Sequence, residues 1–259
     1  MTSVRVPAAT VGNITDLLKS KGMYKDTIIF FQSDNGGPSF DGSSHTANNW
    51  PLRGTKMHNW QGGIRVNAFV SGGYLASRFP AMVGIKLDGL VSIADYYATV
   101  AALAGVDPTD HRAAAAGLPP IDSHNMVPYF TGQSKSSPRL DIFNDVNTAV
   151  VRYEGALWKI ITGKEGAGCW MGPQYPNGSK TPACSTVVDC GSGCLFNLDE
   201  DPTEHANVAE GHPKVLQALQ ATLAKMNKGF FSPTRGGGDK SVPIKAAIEY
   251  GGYWGPFLP

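Results

Sequence analysis

The sequence predicts an α/β fold that gives way, in its second half, to a small antiparallel sheet covered by one helix. Three stretches carry that expectation. Residues 11–19 place Val11, Ile14, Leu17 and Leu18 at helical spacing, and an apolar run at residues 27–33 follows. Helix then strand is the order of a parallel α/β sheet. Beyond residue 140, the runs 149–153 and 156–161 flank Glu154-Gly155, a tight-hairpin pair. Pro213 then stands at the first position of a helix whose apolar face is Val215, Leu216, Leu219, Leu223 and Met226, closed by Gly229. The expected division is residues 1–139 for a partial α/β core and 140–259 for an antiparallel sheet-plus-helix subdomain.

Taken in order, Thr27-Ile28-Ile29-Phe30-Phe31 reads as a strand buried on both faces. It stops at Ser33-Asp34-Asn35-Gly36-Gly37, beyond the carboxyl end of the strand, where open α/β sheets bind ligands. Carboxylate and amide oxygens suit hard cations such as Ca²⁺ or Mg²⁺, and the same residues suit a plain Asn-Gly turn. Residues 36–63 form a glycine-rich loop without periodicity, of the length that usually serves function. Its two tryptophans and Pro51-Leu52-Arg53-Gly54 argue for order. Residues 64–70 read as a second strand. Ser92 and Asp95 form a capping box for a helix with Ile93, Tyr97, Val100, Ala101 and Ala104 as its buried stripe and Gly105 at its end. Residues 107–139 read as a long surface excursion, and 195–198 as a short strand.

Composition excludes several classes. A net charge of +1 gives no footing for nucleic acid, and no apolar run is long enough for a membrane span. Residues 1–10 lack the apolar centre of a signal peptide. Cys169, Cys184, Cys190 and Cys194 crowd into one Gly/Pro-rich segment, where two disulfides would staple a loop with little apolar material. Four cysteines allow three pairings, and without a Cys-x-x-Cys or a nearby His pair a zinc site is the weaker reading. The sequons at Asn13 and Asn177 add to an expectation of the secretory pathway, lysosomal or extracellular.

The loop and strand together carry a longer pattern. Asp34-Asn35-Gly36-Gly37 is followed by Asn49-Trp50-Pro51-Leu52-Arg53-Gly54-Thr55-Lys56, then Trp60-Gln61-Gly62-Gly63-Ile64-Arg65. Further on come residues 91–99, Arg152-Tyr153-Glu154-Gly155-Ala156-Leu157-Trp158-Lys159, and Leu195-Phe196-Asn197-Leu198 leading to Asp201-Pro202-Thr203-Glu204. This succession resembles the second part of a sulfatase core of the arylsulfatase B group, with Gln61 where that pattern has Glu. The resemblance implies an alkaline-phosphatase-like α/β core, here partial, with a small C-terminal antiparallel α+β subdomain.

It further implies that Asp34 and Asn35 are Ca²⁺ ligands and that Lys56 contacts the sulfate. Arg53, Trp60, Gly62 and Gly63 read as framework. His45 and His58 match no family position and read as polar loop residues. Asp199, Asp201 and Glu204 read as turn and helix-start residues. The expected activity is hydrolysis of sulfate esters, with a sulfated glycan among the substrates. The family's nucleophile is a formylglycine made from Cys-x-Pro-Ser/Ala-Arg, and none of the four cysteines has that context. The paired aspartates completing the metal site are also absent. The expectation is therefore a C-terminal part that is inactive alone and is completed by an N-terminal half or partner chain. The alternative is a non-catalytic sulfatase-like protein that binds a sulfated glycan or a partner.

Overall fold

A computed structural model describes residues 2–38, 47–170, 185–230 and 241–253. The chain divides into two compact units, Met1–Lys228 and Gly229–Pro259. No helix among the described residues is long and apolar enough to cross a membrane.

The first unit opens with α1 (Thr2–Ser20), which begins well before residue 11, and continues to β1 (Ile29–Gln32). The segment expected as one strand at residues 64–70 is divided between α2 (Gln61–Ile64) and β2 (Ala68–Ser71). β1 and β2 pair antiparallel, Gln32 opposite Ala68 and Ile29 opposite Ser71. The parallel arrangement expected from element order does not hold for this pair. The loop after Gln32 returns the chain to the strand end it left, and without a crossover only antiparallel pairing is open to it. Nor is β1 buried on both faces, since all four of its residues are half-buried. Phe31 stacks on Phe69 of β2 at 4.9 Å, a cross-strand aromatic pair, while Phe30 meets Tyr96 at 5.1 Å.

After α3 (Gly73–Arg78) comes α4 (Asp95–Ala104). Its start is capped from both sides: Ser92 N donates to Asp95 Oδ2 (2.7 Å), and Ala94 N donates to Ser92 Oγ (3.3 Å). The expected buried stripe faces outward, with Ile93, Tyr97 and Val100 all more than half exposed. The buried residues are Asp95, Ala98 and Thr99. Arg139 decides the face. Its Nε and Nη2 donate to both oxygens of Asp95 at 2.8 and 2.7 Å, a bidentate pair hidden from water. Leaving either charge unpaired in that interior would cost about 3–5 kcal/mol, more than burying any one of the apolar side chains of the stripe returns. The stretch from 107 to 139 is thus more than a surface excursion. It holds α5 (His111–Ala115) and α6 (Val127–Phe130), buries Met126 and Tyr129, and delivers Arg139.

The antiparallel sheet is built from β3 (Asp141–Asp145), β4 (Thr148–Tyr153) and β5 (Ala156–Ile161). The short pair β6 (Lys164–Glu165) and β7 (Val188–Asp189) follows, then β8 (Cys194–Asn197), giving the order β3-β4-β5-β8. Glu154 and Gly155 both have positive φ, +48° and +83°, as a two-residue hairpin with the right twist demands. Strand alternation then sorts side chains between two faces. Ala149, Val151, Trp158, Ile160 and Leu195 meet Val215, Leu219 and Leu223 of α7 (Pro213–Asn227). Val150, Ile161, Cys194 and Phe196 point the other way and meet Trp60. The sheet is therefore the floor on which the 53–63 loop sits. Cys190 and Cys194 are bonded to each other, Cys169 is disulfide-bonded, and Cys184 lies outside the described residues. In the second unit, α8 (Ser241–Glu249) is the described element.

Candidate active site

Asp34 and Asn35 sit on the turn that ends β1. Asp34 is exposed, its Oδ1 accepting from Asn35 N at 2.9 Å, and Asn35 Nδ2 donates to Gly36 O at 2.9 Å. Ser33 Oγ closes the turn onto Asn35 O at 2.9 Å. The next two residues join this turn to the loop. Gly36 N donates to Gly63 O at 2.8 Å, and a Cβ on Gly36 would lie 1.7 Å from Gly62 O. Only glycine allows that approach. Gly62 and Gly63 are held as tightly, since a Cβ on either would strike the carbonyls of Arg53 (2.5 Å) or His58 (2.1 Å).

Gly37 is the junction. Its N–H donates to Asn49 Oδ1 and its carbonyl accepts from Asn49 Nδ2, both at 2.8 Å, so one amide side chain grips one peptide from two sides. The same carbonyl accepts from Thr55 Oγ1 at 3.0 Å and from Lys56 N at 3.3 Å. Lys56 is thereby fixed by its backbone three residues from the Asp34 turn. It occupies a tight turn closed by His58 N to Thr55 O (3.2 Å), with Met57 left-handed at φ +71°. A non-glycine residue held at positive φ is strain that its surroundings must maintain. The structure therefore brings Asp34, Asn35 and Lys56 to one junction. Asn13 lies exposed on α1, while Asn177 and His45 lie outside the described residues.

Behind the junction stands a buried polar frame. Arg53 lies between the rings of Trp60 (3.7 Å to the centroid) and Trp170 (4.3 Å). It donates to Gly168 O through Nε (3.1 Å) and Nη2 (3.0 Å), and to Glu204 O through Nη1 (3.0 Å). Burial lowers its pKa against the opposing pull of Glu204 and Asp201, and a guanidinium still keeps its charge. Trp60 Nε1 reaches Gly166 O at 2.7 Å.

Glu204 does more than shape a turn. Fully buried at φ +61°, it pairs with the fully buried Lys159 and accepts from Gln61 N at 2.6 Å. Burial pushes Lys159 below the ordinary lysine pKa, with Glu204 pulling the other way. Lys159 shares the inward-facing parity of Leu157 and Ile161 on β5, and a charge at such a position was the sequence signal for a buried partner. Asn49 and Thr55, by contrast, carry no signal of their own outside the motif.

A two-stranded antiparallel pair among helices, a four-stranded antiparallel sheet covered by α7, and a carboxylate turn at a strand end together carry the site. Residues 9–106 match the family model described as Sulfatase. The chain is 29% identical over 273 residues to arylsulfatase J of Mus musculus, covering 95% of this chain and 42% of that protein. It is 33% identical over 216 residues to steryl-sulfatase of Homo sapiens, covering 75% of this chain and 33% of that protein. Among solved structures, the PsFucS1 sulfatase from Pseudoalteromonas sp. superposes with a TM-score of 0.52 at 24% identity, covering 84% of this chain and 40% of the other. This chain carries part of a sulfatase domain, and it spans less than half the length of these relatives.

Proposed function

We propose that this chain carries the metal- and sulfate-binding part of an arylsulfatase-type sulfuric ester hydrolase. One observation supports the reading above the others: the Gly37 junction holds the Lys56 turn against the strand end that bears Asp34 and Asn35. Ca²⁺ fits the donor set. Asn35 Nδ2 is engaged by Gly36 O, which leaves Oδ1 as the ligand atom of the amide, and the Asp34 carboxylate is exposed beside it. Both are hard oxygen donors. Two ligands fall short of the six to eight that Ca²⁺ takes. Among the described residues no group of three or more His, Cys, Asp or Glu gathers around them, so the pair supplies part of a coordination shell. Bound there, the cation would neutralise charge on the sulfate oxygens. Lys56 supplies a compact positive charge to the same oxygens, orienting the ester and stabilising charge that grows on it.

No Cys-x-Pro-Ser/Ala-Arg occurs in these 259 residues, so they hold and orient a sulfate ester without attacking it. That absence also favours a second reading, in which the chain binds a sulfated glycan without turnover. We place the chain in the secretory pathway, with Asn13 and Asn177 as glycosylation sites, and expect the remaining ligands and nucleophile on an N-terminal half or partner chain.

Isothermal titration of the full chain with sodium sulfate in calcium buffer tests the proposal. Lys56→Ala is expected to weaken sulfate binding by more than about 10-fold while leaving a residual affinity that titration still reads, and Asp34→Ala to remove its dependence on calcium. Sulfate affinity indifferent to Lys56→Ala would overturn the assignment. Hydrolysis of para-nitrophenyl sulfate by the chain alone, lost in Lys56→Ala, would overturn the part-site reading instead.

A further inference from the structure

The Lys56 turn is anchored on its far side by contacts that no part of the sulfatase pattern includes. His58 Nδ1 lies 3.0 Å from Glu165 Oε1 on β6. Asn59 Nδ2 donates to Asp145 Oδ2 at the end of β3 (2.7 Å) and to Glu165 Oε2 (2.9 Å). Asn144 Nδ2 donates to Asn59 Oδ1. The His58 ring also lies over the backbone of Gly166, where an added Cβ would stand 2.7 Å from its Cε1. Side chains of two consecutive loop residues thus close on two carboxylates, Asp145 at the end of β3 in the four-stranded sheet and Glu165 in the separate β6–β7 pair. Glu165 is mostly buried, with a side-chain exposure of 10%, so both its oxygens depend on these partners.

We propose that His58, Asn59, Glu165 and Asp145 form a latch that positions Lys56 for the sulfate, an inference that rests on the reading of Lys56 above. The turn is held from one side by Gly37 and from the other by the latch, with the strained Met57 between them. Neither anchor touches the ligand. Freed on one side, the Met57 backbone relaxes and the ammonium loses its fixed approach, so affinity falls although the charge remains.

The test is sulfate titration of the full chain in calcium buffer, combined with a double-mutant cycle. His58→Ala with Asn59→Ala is expected to weaken sulfate binding about 10-fold, roughly 1.4 kcal/mol, with far-UV circular dichroism unchanged. The same pair of substitutions introduced into Lys56→Ala is expected to change the residual affinity by less than about 2-fold, because the latch acts only through Lys56. Unchanged affinity in the first experiment overturns the latch. Equal loss with and without Lys56 also overturns it, because the contacts then serve folding alone. Should the double substitution fail to fold, Asn59→Asp carries the test by setting a third carboxylate against Asp145 and Glu165. Its expected effect is a loss of about 5-fold that vanishes in the Lys56→Ala background. A wild-type chain whose sulfate affinity ignores Lys56→Ala defeats the Lys56 reading itself, which separates the two failures.

Discussion

The buried Lys159–Glu204 pair allows a quantitative test of how the site is supported. Both side chains are fully hidden from solvent, and Glu204 Oε2 also accepts from Gln61 N, the first residue of α2. Lys159→Met keeps the chain length and removes the charge, leaving a carboxylate in the interior with one backbone donor. Breaking such a pair from one side costs about 3–5 kcal/mol. Combining Lys159→Met with Glu204→Gln removes both charges and leaves an amide oxygen to accept from Gln61 N. Without that acceptor the orphaned N–H would add about 1–3 kcal/mol. The double variant should therefore lie within about 1 kcal/mol of the native chain, which makes it about 3 kcal/mol more stable than Lys159→Met alone. Urea denaturation followed by tryptophan fluorescence reads this as a large shift in midpoint for the single variant and a small one for the double, at constant slope. A single variant within about 1 kcal/mol of native, or a double no more stable than Lys159→Met, would refute the reasoning.

Two further outcomes follow from the same framework. Gly36→Ala should destabilise the chain by about 3 kcal/mol or prevent soluble folding, because its Cβ meets Gly62 O at 1.7 Å; a midpoint within about 0.5 kcal/mol of native in urea denaturation would contradict the junction geometry. Replacing both Cys190 and Cys194 by Ser should cost about 2 kcal/mol, the loop entropy of a cross-link spanning four positions, as read from the shift in urea midpoint. A larger loss would assign the extra share to the packing of Cys190 and Cys194 beside Ile161 and Phe196.

What could be read from the sequence depended on how local the cause was. Glu154-Gly155 gave the hairpin because the turn chemistry lies in those two residues. The α7 face was equally plain, since its apolar positions recur at helical spacing and the sheet beneath has no competing claim. α4 had the same kind of pattern and turned the other way. Asp95 and Arg139 are 44 positions apart, so neither residue marks the other in the sequence, yet their pairing fixes which face is inside. Lys159 stands at the parity of a buried position, but Glu204 lies 45 positions away and nothing in the sequence marks it as the partner. Periodicity says which faces a helix could bury, and a single buried charge is enough to choose against it.

That distinction bears on the site itself. The motif names atoms that would touch a ligand: the Asp34 carboxylate, the Asn35 amide and the Lys56 ammonium. It says little about what holds them in place. Gly36, Gly37 and Asn49 set the near side of the Lys56 turn, and they belong to the motif because each acts within the same loop, the glycines through backbone and Asn49 through its side-chain amide. The far side is set by Glu165, Asp145 and Glu204, which reach the loop from strands and turns more than 80 positions away. Substitutions at Glu165 or Asp145 would leave every motif residue unchanged and still move Lys56. If the latch and the buried pair hold the loop, the antiparallel sheet and the β6–β7 pair are part of the sulfate site, and the geometry of that site is decided as much behind the loop as within it.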